Sequence, residues 1–274
     1  MAEPKNEGVE EDRLKKMLQK VADNDYRNIH SIILAKNNKL ILEAYFHGYG
    51  KDTTHDLRSA TKSITSLLTG IALDKGYIPS INTLILDYFP SSALNQNTEK
   101  QKITVKHLLT MSSGLECNDS LASSRGNEEK MYKKEDWVSY ILNLPMVDHP
   151  GESYSYCTGG AVVLEQTIEQ ATGMEIEAFS KAFLFEPLGI KNYVWASIPN
   201  GDVDTGGYLK MAPRDMTKIG QLVLNKGEWN GKQIIDESFL RSSFKPYFSE
   251  AGFDYGYLWW VHDFKKTGRH IKLI

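Results

Sequence analysis

A serine and a lysine three positions apart, Ser59 and Lys62, form the first pair in the sequence whose types and spacing could do chemistry. The apolar residues that follow recur at helical spacing and predict a helix from Ser59 to Leu73. Side chains at i and i+3 share one helix face, so the Lys62 ammonium could reach the Ser59 hydroxyl. The start of a helix also offers unpaired N–H groups and partial positive charge to an oxyanion. The pair therefore predicts a serine nucleophile with a lysine partner.

Taken alone, S-x-x-K is a weak signal, and a second match shows this: Ser242-Ser243-Phe244-Lys245. That match falls toward the end of a predicted helix, with Pro246 after it, where no positive helix end faces a serine. We interpret it as chance. On local sequence, Ser59 could equally be a helix N-cap with Lys62 solvated. The motifs G-x-S-x-G, H-E-x-x-H, G-x-x-x-x-G-K-[ST] and G-x-G-x-x-G do not occur, which disfavours the corresponding hydrolases and nucleotide-binding proteins.

Several further segments occur in an order that resembles the serine β-lactamase and penicillin-binding-protein superfamily, and in particular its class C β-lactamase-like esterase branch. The landmarks extend from about residue 28 to about residue 262. They are Arg58-Ser59-Ala60-Thr61-Lys62-Ser63, Leu108-Leu109-Thr110-Met111-Ser112-Ser113-Gly114-Leu115, Pro150-Gly151 with Tyr156, Ala212-Pro213-Arg214-Asp215-Met216 and Gly227-Glu228-Trp229-Asn230-Gly231-Lys232.

The resemblance implies roles for individual residues. Ser59 aligns with the acylated nucleophile, Lys62 with its partner lysine, and Tyr156 with the tyrosine of the family's Y-x-N motif. Thr158 stands where the family commonly has asparagine, so it is a candidate substrate-binding residue together with the Ser59 backbone N–H. A short hydroxyl cannot reproduce the reach of a carboxamide, which favours esters over β-lactams. Tyr154 competes locally for the role of Tyr156, and we interpret it as a packing residue.

Lys62 and Tyr156 present one chemical problem, because both groups are poor bases at pH 7, with ordinary pKa values of about 10.4 and 10. Lysine ammonium with tyrosine phenolate has the same net charge as the two neutral groups, so one shared proton titrates. We expect this pair to take the Ser59 proton during acylation and then to activate water.

The superfamily's third element is a strand carrying K-T-G or a variant of it. Lys266-Thr267-Gly268 spells this motif, but it lies between two short strand patterns and is predicted to be a hairpin turn. On that interpretation the third strand would lie beyond Ile274. The chain would then be a fragment of a longer protein or a degraded, inactive variant.

Composition excludes several classes of protein. The 274 residues have a formal charge of −3 and 24% charged residues, so no basic excess indicates a nucleic-acid partner. No apolar window is long enough for a membrane span, and the charged first twenty residues predict no signal peptide. The chain is cytoplasmic as read, with an exported mature protein as the alternative.

Cys117 and Cys157 form no C-x-x-C pair, disulfide framework or zinc pattern. We interpret Cys157 as a small buried thiol, and we expect neither metal nor cofactor.

The order of predicted elements indicates an α+β fold. An amphipathic helix over residues 10–22 precedes two strands, Ile29 to Ala35 and Leu40 to Phe46, joined at Asn37-Asn38. Helical patterns then dominate, and strands return at Tyr255 to Val261 and His270 to Ile274. The polar stretch Asn118 to Lys134 is predicted to be a mobile surface loop. The remaining predicted helices are Val105 to Thr110, Glu135 to Leu142, Gly160 to Thr172, Ile176 to Leu184, Asp215 to Leu224 and Glu237 to Phe244.

These elements, with the resemblance, predict an antiparallel sheet built from both chain ends and flanked by helices, plus a mainly helical second lobe. The predicted boundaries are 1–75 and 213–274 for the discontinuous α/β lobe and 76–212 for the helical lobe, with the active site at their interface. The predicted function is hydrolysis of small carboxylic esters through an acyl-enzyme on Ser59. The alternatives are a β-lactamase, a D-amino-acid peptidase or amidase, a silent binding homologue that is acylated without turnover, and a structural protein. The oligomeric state is left open.

Overall fold

The computed structural model describes residues 1–89, 97–197, 203–250, 252–266 and 269–273, with the backbone alone for 263–273. The helices of these residues are α1 (Glu11–Ala22), α2 (Thr61–Asp74), α3 (Val105–Leu109), α4 (Glu128–Met131), α5 (Trp137–Leu142), α6 (Thr158–Thr172), α7 (Ile176–Ser180), α8 (Pro213–Leu224) and α9 (Glu237–Ser243). The strands are β1 (Ser31–Lys36), β2 (Lys39–Tyr45), β3 (His55–Asp56), β4 (Tyr193–Trp195), β5 (Leu209–Met211), β6 (Glu228–Trp229), β7 (Lys232–Gln233), β8 (Phe248–Glu250), β9 (Phe253–Tyr255), β10 (Trp260–Lys266) and β11 (Arg269–Leu273). In this part of the chain no helix is long and apolar enough to cross a membrane.

Helices and small antiparallel sheets both occur, so the predicted α+β class is confirmed. The strands pair as β1-β2, β3-β5-β4, β6-β7 and β11-β10-β9-β8. The prediction that the two chain ends share one sheet is therefore wrong for the described residues, because β1 and β2 pair only with each other. Alternation within a segment identifies a strand but not its distant partner, which depends on the path of the whole chain. The lobe boundaries stay a prediction.

The hairpin at the start of the chain is confirmed almost to the residue. Asn37 and Asn38 have φ values of 53° and 60°, the left-handed conformation that a tight two-residue turn requires. The pairing of Ser31 with Tyr45 and of Lys36 with Lys39 fixes the register of β1 against β2.

Two buried helices, α2 and α6, pack against each other and form the centre of the core. In α2, every residue from Ile64 to Ala72 is buried, and α6 is buried from Thr158 through Glu165. Because α2 is buried along most of its length, the side chains of Thr61 and Lys62 in its first turn lie in the protein interior. The short helices α3 and α5 pack against α6.

The predicted strand Tyr255 to Val261 is split by a turn. Leu258 has a φ of 61°, and a Cβ added at Gly256 would lie 1.8 Å from the Ser243 carbonyl oxygen. The backbone N–H of Tyr257 donates to Ser243 O at 3.0 Å, and that of Leu258 donates to Leu109 O at 2.8 Å. The aromatic composition predicted a strand, but these hydrogen bonds to α9 and α3 turn the chain instead.

Cys117 and Cys157 form a disulfide, which overturns the prediction of a free buried thiol at Cys157. Their Cα atoms lie 5.4 Å apart although 40 positions separate them in sequence. The Asp119 N–H donates to Tyr156 O at 2.9 Å, so the two segments run side by side next to the bond. Spacing along the chain could not reveal this proximity, because it arises from tertiary pairing of two irregular segments.

Removing the disulfide is expected to destabilise the protein, because the unfolded chain loses a constraint on a 40-residue loop. The double variant Cys117→Ala/Cys157→Ala should lose about 2–4 kcal/mol of unfolding free energy. Chemical denaturation with and without dithiothreitol measures this loss. Reduction should lower the stability of the parent protein and leave the double variant unchanged. Equal stability of the oxidised and reduced parent protein would contradict the prediction.

Candidate active site

Ser59 lies at an exposed turn, Arg58 to Ala60, that leads into α2. The Arg58 N–H donates to Asp56 Oδ1 at 2.8 Å, and Arg58 itself has a φ of 49°, which is uncommon outside glycine. The Leu57 N–H donates to Leu209 O at 2.9 Å and ties this turn to β5. The nucleophile predicted from the sequence therefore faces solvent from a well-anchored backbone, in the first turn, where N–H groups lack an i−4 partner.

Lys62 lies directly beneath Ser59 and is only 1% exposed. Its Nζ is 3.3 Å from Ser59 Oγ and donates a hydrogen bond of 2.5 Å to the Gly206 carbonyl oxygen. Burial lowers the pKa of Lys62, and negative charge from Asp119, Glu128 and Asp204 partly opposes that shift. The interior thus favours the neutral amine more than water does.

Tyr156 is the second side chain that contacts the Ser59 hydroxyl. Its phenol shares a hydrogen bond with the Ser59 hydroxyl, and Lys62 Nζ lies 5.1 Å from its ring centroid. Burial raises the pKa of Tyr156, with the Ser59 hydrogen bond acting in the opposite direction. The directions at Lys62 and Tyr156 favour the state in which both are neutral over the ammonium–phenolate state.

Tyr154, the local competitor, faces an aromatic cluster instead. Its ring centroid lies 5.0 Å from that of Tyr255 and 6.2 Å from that of Trp260, and its buried hydroxyl has no hydrogen-bond partner among the described residues. This placement agrees with the interpretation of Tyr154 as a packing residue.

Thr158 is fully buried below the site, at the first turn of α6. Its N–H donates to Asp119 Oδ2 at 2.6 Å, and its hydroxyl donates to Glu128 Oε2 at 3.0 Å. Tyr132 donates to the same Glu128 oxygen at 3.1 Å. The hydroxyl predicted to bind substrate is therefore engaged with a carboxylate of the protein.

Sequence reasoning missed three carboxylates around Lys62, namely Asp119, Glu128 and Asp204. Two of them lie in the stretch Asn118 to Lys134 that was predicted to be a mobile surface loop. The stretch is instead held by hydrogen bonds between its own polar groups, such as Glu128 N–H to Asp119 Oδ1 at 3.0 Å, and Asn127 within it is buried. No local pattern marked these acids, although Asp204-Thr205-Gly206-Gly207 is a recognisable turn signal.

An apolar cavity of about 460 Å³ opens beside Ser59. Ser59 and Tyr156 line it together with Met211, Trp259 and Trp260.

The other candidate motifs lie elsewhere or partly outside the described residues. Ser242, the serine of the second S-x-x-K match, lies near the end of α9 and lines a different depression, beside Phe239 and Tyr257. In the K-T-G segment, β10 and β11 form a hairpin in which Lys266 pairs with Arg269. Thr267 and Gly268 lie outside the described residues. Within the described ranges, no three histidine, cysteine, aspartate or glutamate side chains are arranged to hold a metal ion.

Known proteins resemble this chain over most of its length. The 6-aminohexanoate-dimer hydrolase of Paenarthrobacter ureafaciens is 20% identical over 83% of this chain and 60% of its own length. The octameric penicillin-binding protein homologue from Pyrococcus abyssi superposes with a TM-score of 0.71 and 20% identity, covering 93% of this chain and 65% of that one. The structure of EstCE1, described as a hydrolase with promiscuous acyltransferase activity, has a TM-score of 0.73 and 15% identity over 91% and 83% of the two chains.

The chain spans less than two thirds of the length of that curated relative. The structural likeness confirms the predicted β-lactamase/transpeptidase-like fold over most of the chain. A family model described as Beta-lactamase matches residues 20–271. The chain therefore belongs to the Beta-lactamase family.

Proposed function

We propose that this chain carries the catalytic site of a serine hydrolase that cleaves small carboxylic esters through an acyl-enzyme on Ser59. The observation that carries the proposal is the meeting of three groups: an exposed Ser59 hydroxyl, the buried Lys62 Nζ at 3.3 Å and the Tyr156 phenol hydrogen-bonded to the same hydroxyl. A nucleophile within hydrogen-bond reach of a base, itself held by a third group, is the arrangement that acyl transfer requires.

In the proposed acylation, Ser59 Oγ attacks the carbonyl carbon of the ester and its proton passes to the neutral Lys62 Nζ. The tetrahedral intermediate carries its negative charge on the former carbonyl oxygen, where the Ser59 N–H can donate to it. Collapse breaks the bond to the alcohol, which leaves with a proton delivered through the Lys62–Tyr156 pair. Water then repeats the sequence on the acyl-enzyme, with the pair as base, and releases the acid.

The engagement of Thr158 by Glu128 supports esters over β-lactams. A carboxamide at this position could bind a substrate carbonyl, whereas the Thr158 hydroxyl already donates to a carboxylate and is buried. A direct role for Thr158 in substrate binding stays a prediction. The apolar cavity beside Ser59 suits an acyl or alcohol group of modest size.

Hydrolysis of a linear amide is the second candidate. The support for it is the similarity of this chain to the 6-aminohexanoate-dimer hydrolase, to which 83% of the chain aligns. An amide leaving group needs a proton more than an alcohol does, so this reaction would depend more strongly on Tyr156 and Lys62.

The nucleophile can be tested by intact mass after treatment with a fluorophosphonate and by release of p-nitrophenol from p-nitrophenyl butyrate. We expect one adduct and ester turnover, both lost in Ser59→Ala. Ser242→Ala is the matched control, since it removes the serine of the other S-x-x-K match, and it should behave like the parent protein. An adduct without turnover would indicate the silent binding homologue. No adduct on folded protein would refute the proposal.

The roles of Lys62 and Tyr156 predict that Lys62→Met and Tyr156→Phe each reduce kcat by about 100-fold or more, because both groups move the same proton. The matched control is Tyr154→Phe, which removes a hydroxyl that has no hydrogen-bond partner among the described residues. That variant should keep activity within about threefold of the parent protein, since no proton passes through it. Full activity in Tyr156→Phe, or equal losses in both tyrosine variants, would remove Tyr156 from the mechanism.

The pH dependence of fluorophosphonate labelling follows from the state of Lys62. Burial lowers its pKa below the ordinary value of 10.5, and the base must be neutral to accept the Ser59 proton. Labelling should therefore be slow at low pH and rise as pH increases through the lowered pKa, with a midpoint below 10.5. Rates measured across pH, corrected with Ser59→Ala, give the midpoint. A midpoint at the ordinary lysine value would exclude Lys62 as the buried base.

A further inference from the structure

Asp204 is a buried carboxylate in a turn that contacts both α2, which carries Lys62, and the start of α6, which follows Tyr156. Its side chain is 1% exposed, and its Oδ1 accepts the N–H groups of Gly206 at 2.8 Å and of Gly207 at 3.0 Å. Its Oδ2 is buried and has no hydrogen-bond partner among the described residues. Within the same residues, no cation pairs with it at ion-pair distance.

The turn that Asp204 closes, residues 204–207, is fixed against α2. Its Gly206 carbonyl accepts the 2.5 Å hydrogen bond from Lys62 Nζ. One residue earlier, the Thr205 carbonyl accepts from Thr65 Oγ1 at 2.8 Å. This turn therefore helps to fix the position of the Lys62 amine, which also lies within hydrogen-bond distance of Ser59 Oγ.

The same turn touches α6. A Cβ added at Gly206 would lie only 2.5 Å from Thr158 Cγ2, so the backbone of the turn packs directly on the residue two positions after Tyr156. A displacement of the turn would thus shift the support of Lys62 and the start of the helix that follows Tyr156 together.

An asparagine at position 204 could accept the same two N–H groups without the cost of burying a charge. What the carboxylate adds is negative potential at Lys62. The other titratable groups that face Lys62 are Asp119 and Glu128, from the 118–134 segment, and Tyr156. Asp204 differs from those two acids because it also holds the carbonyl that binds Nζ.

We propose that Asp204 is a positioning residue for Lys62, which holds the Gly206 carbonyl against Nζ and sets the electrostatic balance of the amine. Among the described residues, Asp204 is not one of those that line the cavity beside Ser59. This inference rests on the proposed function, because it assigns Asp204 a part in the deprotonation of Ser59.

Two variants separate the two contributions. Asp204→Asn keeps an acceptor for the turn and removes the charge. The acid limb is the pH range in which the rate of Ser59 labelling rises as Lys62 loses its proton. Because a nearby anion favours the ammonium, loss of the charge should move this acid limb to lower pH.

Asp204→Ala removes the acceptor, so the Gly206 carbonyl is no longer held, and labelling should slow by about 10- to 100-fold, with kcat affected more than KM. The matched control is Asp215→Asn on α8, a buried carboxylate paired with Lys218, which should leave the limb in place.

The experiment is the rate of fluorophosphonate labelling of the whole chain across pH, with melting temperatures recorded in parallel. A merely structural Asp204 would lower the melting temperature without moving the acid limb. An unshifted limb in Asp204→Asn overturns the proposal, as does labelling of folded Asp204→Ala at the parent rate. If Asp204→Ala does not fold, the limb of Asp204→Asn decides. Absence of labelling in the parent protein would instead overturn the proposed function.

Discussion

The burial of one amine, that of Lys62, is the constraint on which the rest of this structure depends. A solvated lysine is almost wholly protonated at neutral pH and can take no proton from a serine. Here α2 is buried on nearly every side, so its first turn places Lys62 at 1% exposure immediately below the exposed Ser59. The core of the protein therefore supplies the low-polarity environment that favours a neutral amine, and the turn before α2 supplies the accessible hydroxyl.

A buried amine requires polar partners, and the surrounding segments provide both a neutral hydrogen-bond acceptor and nearby negative charges. The Gly206 carbonyl accepts a hydrogen bond from Nζ without contributing a full charge. The carboxylates Asp119, Glu128 and Asp204 contribute negative potential that partly restores the ammonium. Too little negative charge would leave a weak base, and too much would keep the amine protonated. The proposed chemistry requires the balance between desolvation and these acids, and neither alone would provide it.

The segments that provide this balance are irregular and are held by specific bonds. Two bonds join the segment that begins at Cys117 and carries Asp119 to the segment that carries Tyr156. They are the disulfide between Cys117 and Cys157 and the hydrogen bond from Asp119 N–H to Tyr156 O. Glu128 and Asp119 in turn accept from Thr158. Thr158, the residue that departs from the family's asparagine, is thus part of a polar network that connects α6 with the 118–134 segment.

The sequence by itself determined the features that depend on short-range spacing. The i and i+3 relation of Ser59 and Lys62, the Asn37-Asn38 hairpin and the helix α2 follow from local geometry, and the ordered motifs identified the family and the candidate Tyr156. Only the tertiary structure decided which distant segments meet: the partners of β1 and β2, the turn within 255–261, the disulfide, and the carboxylates Asp119, Glu128 and Asp204 around Lys62. Such contacts come from the packing of segments far apart in the chain, and neither helical nor strand periodicity encodes them.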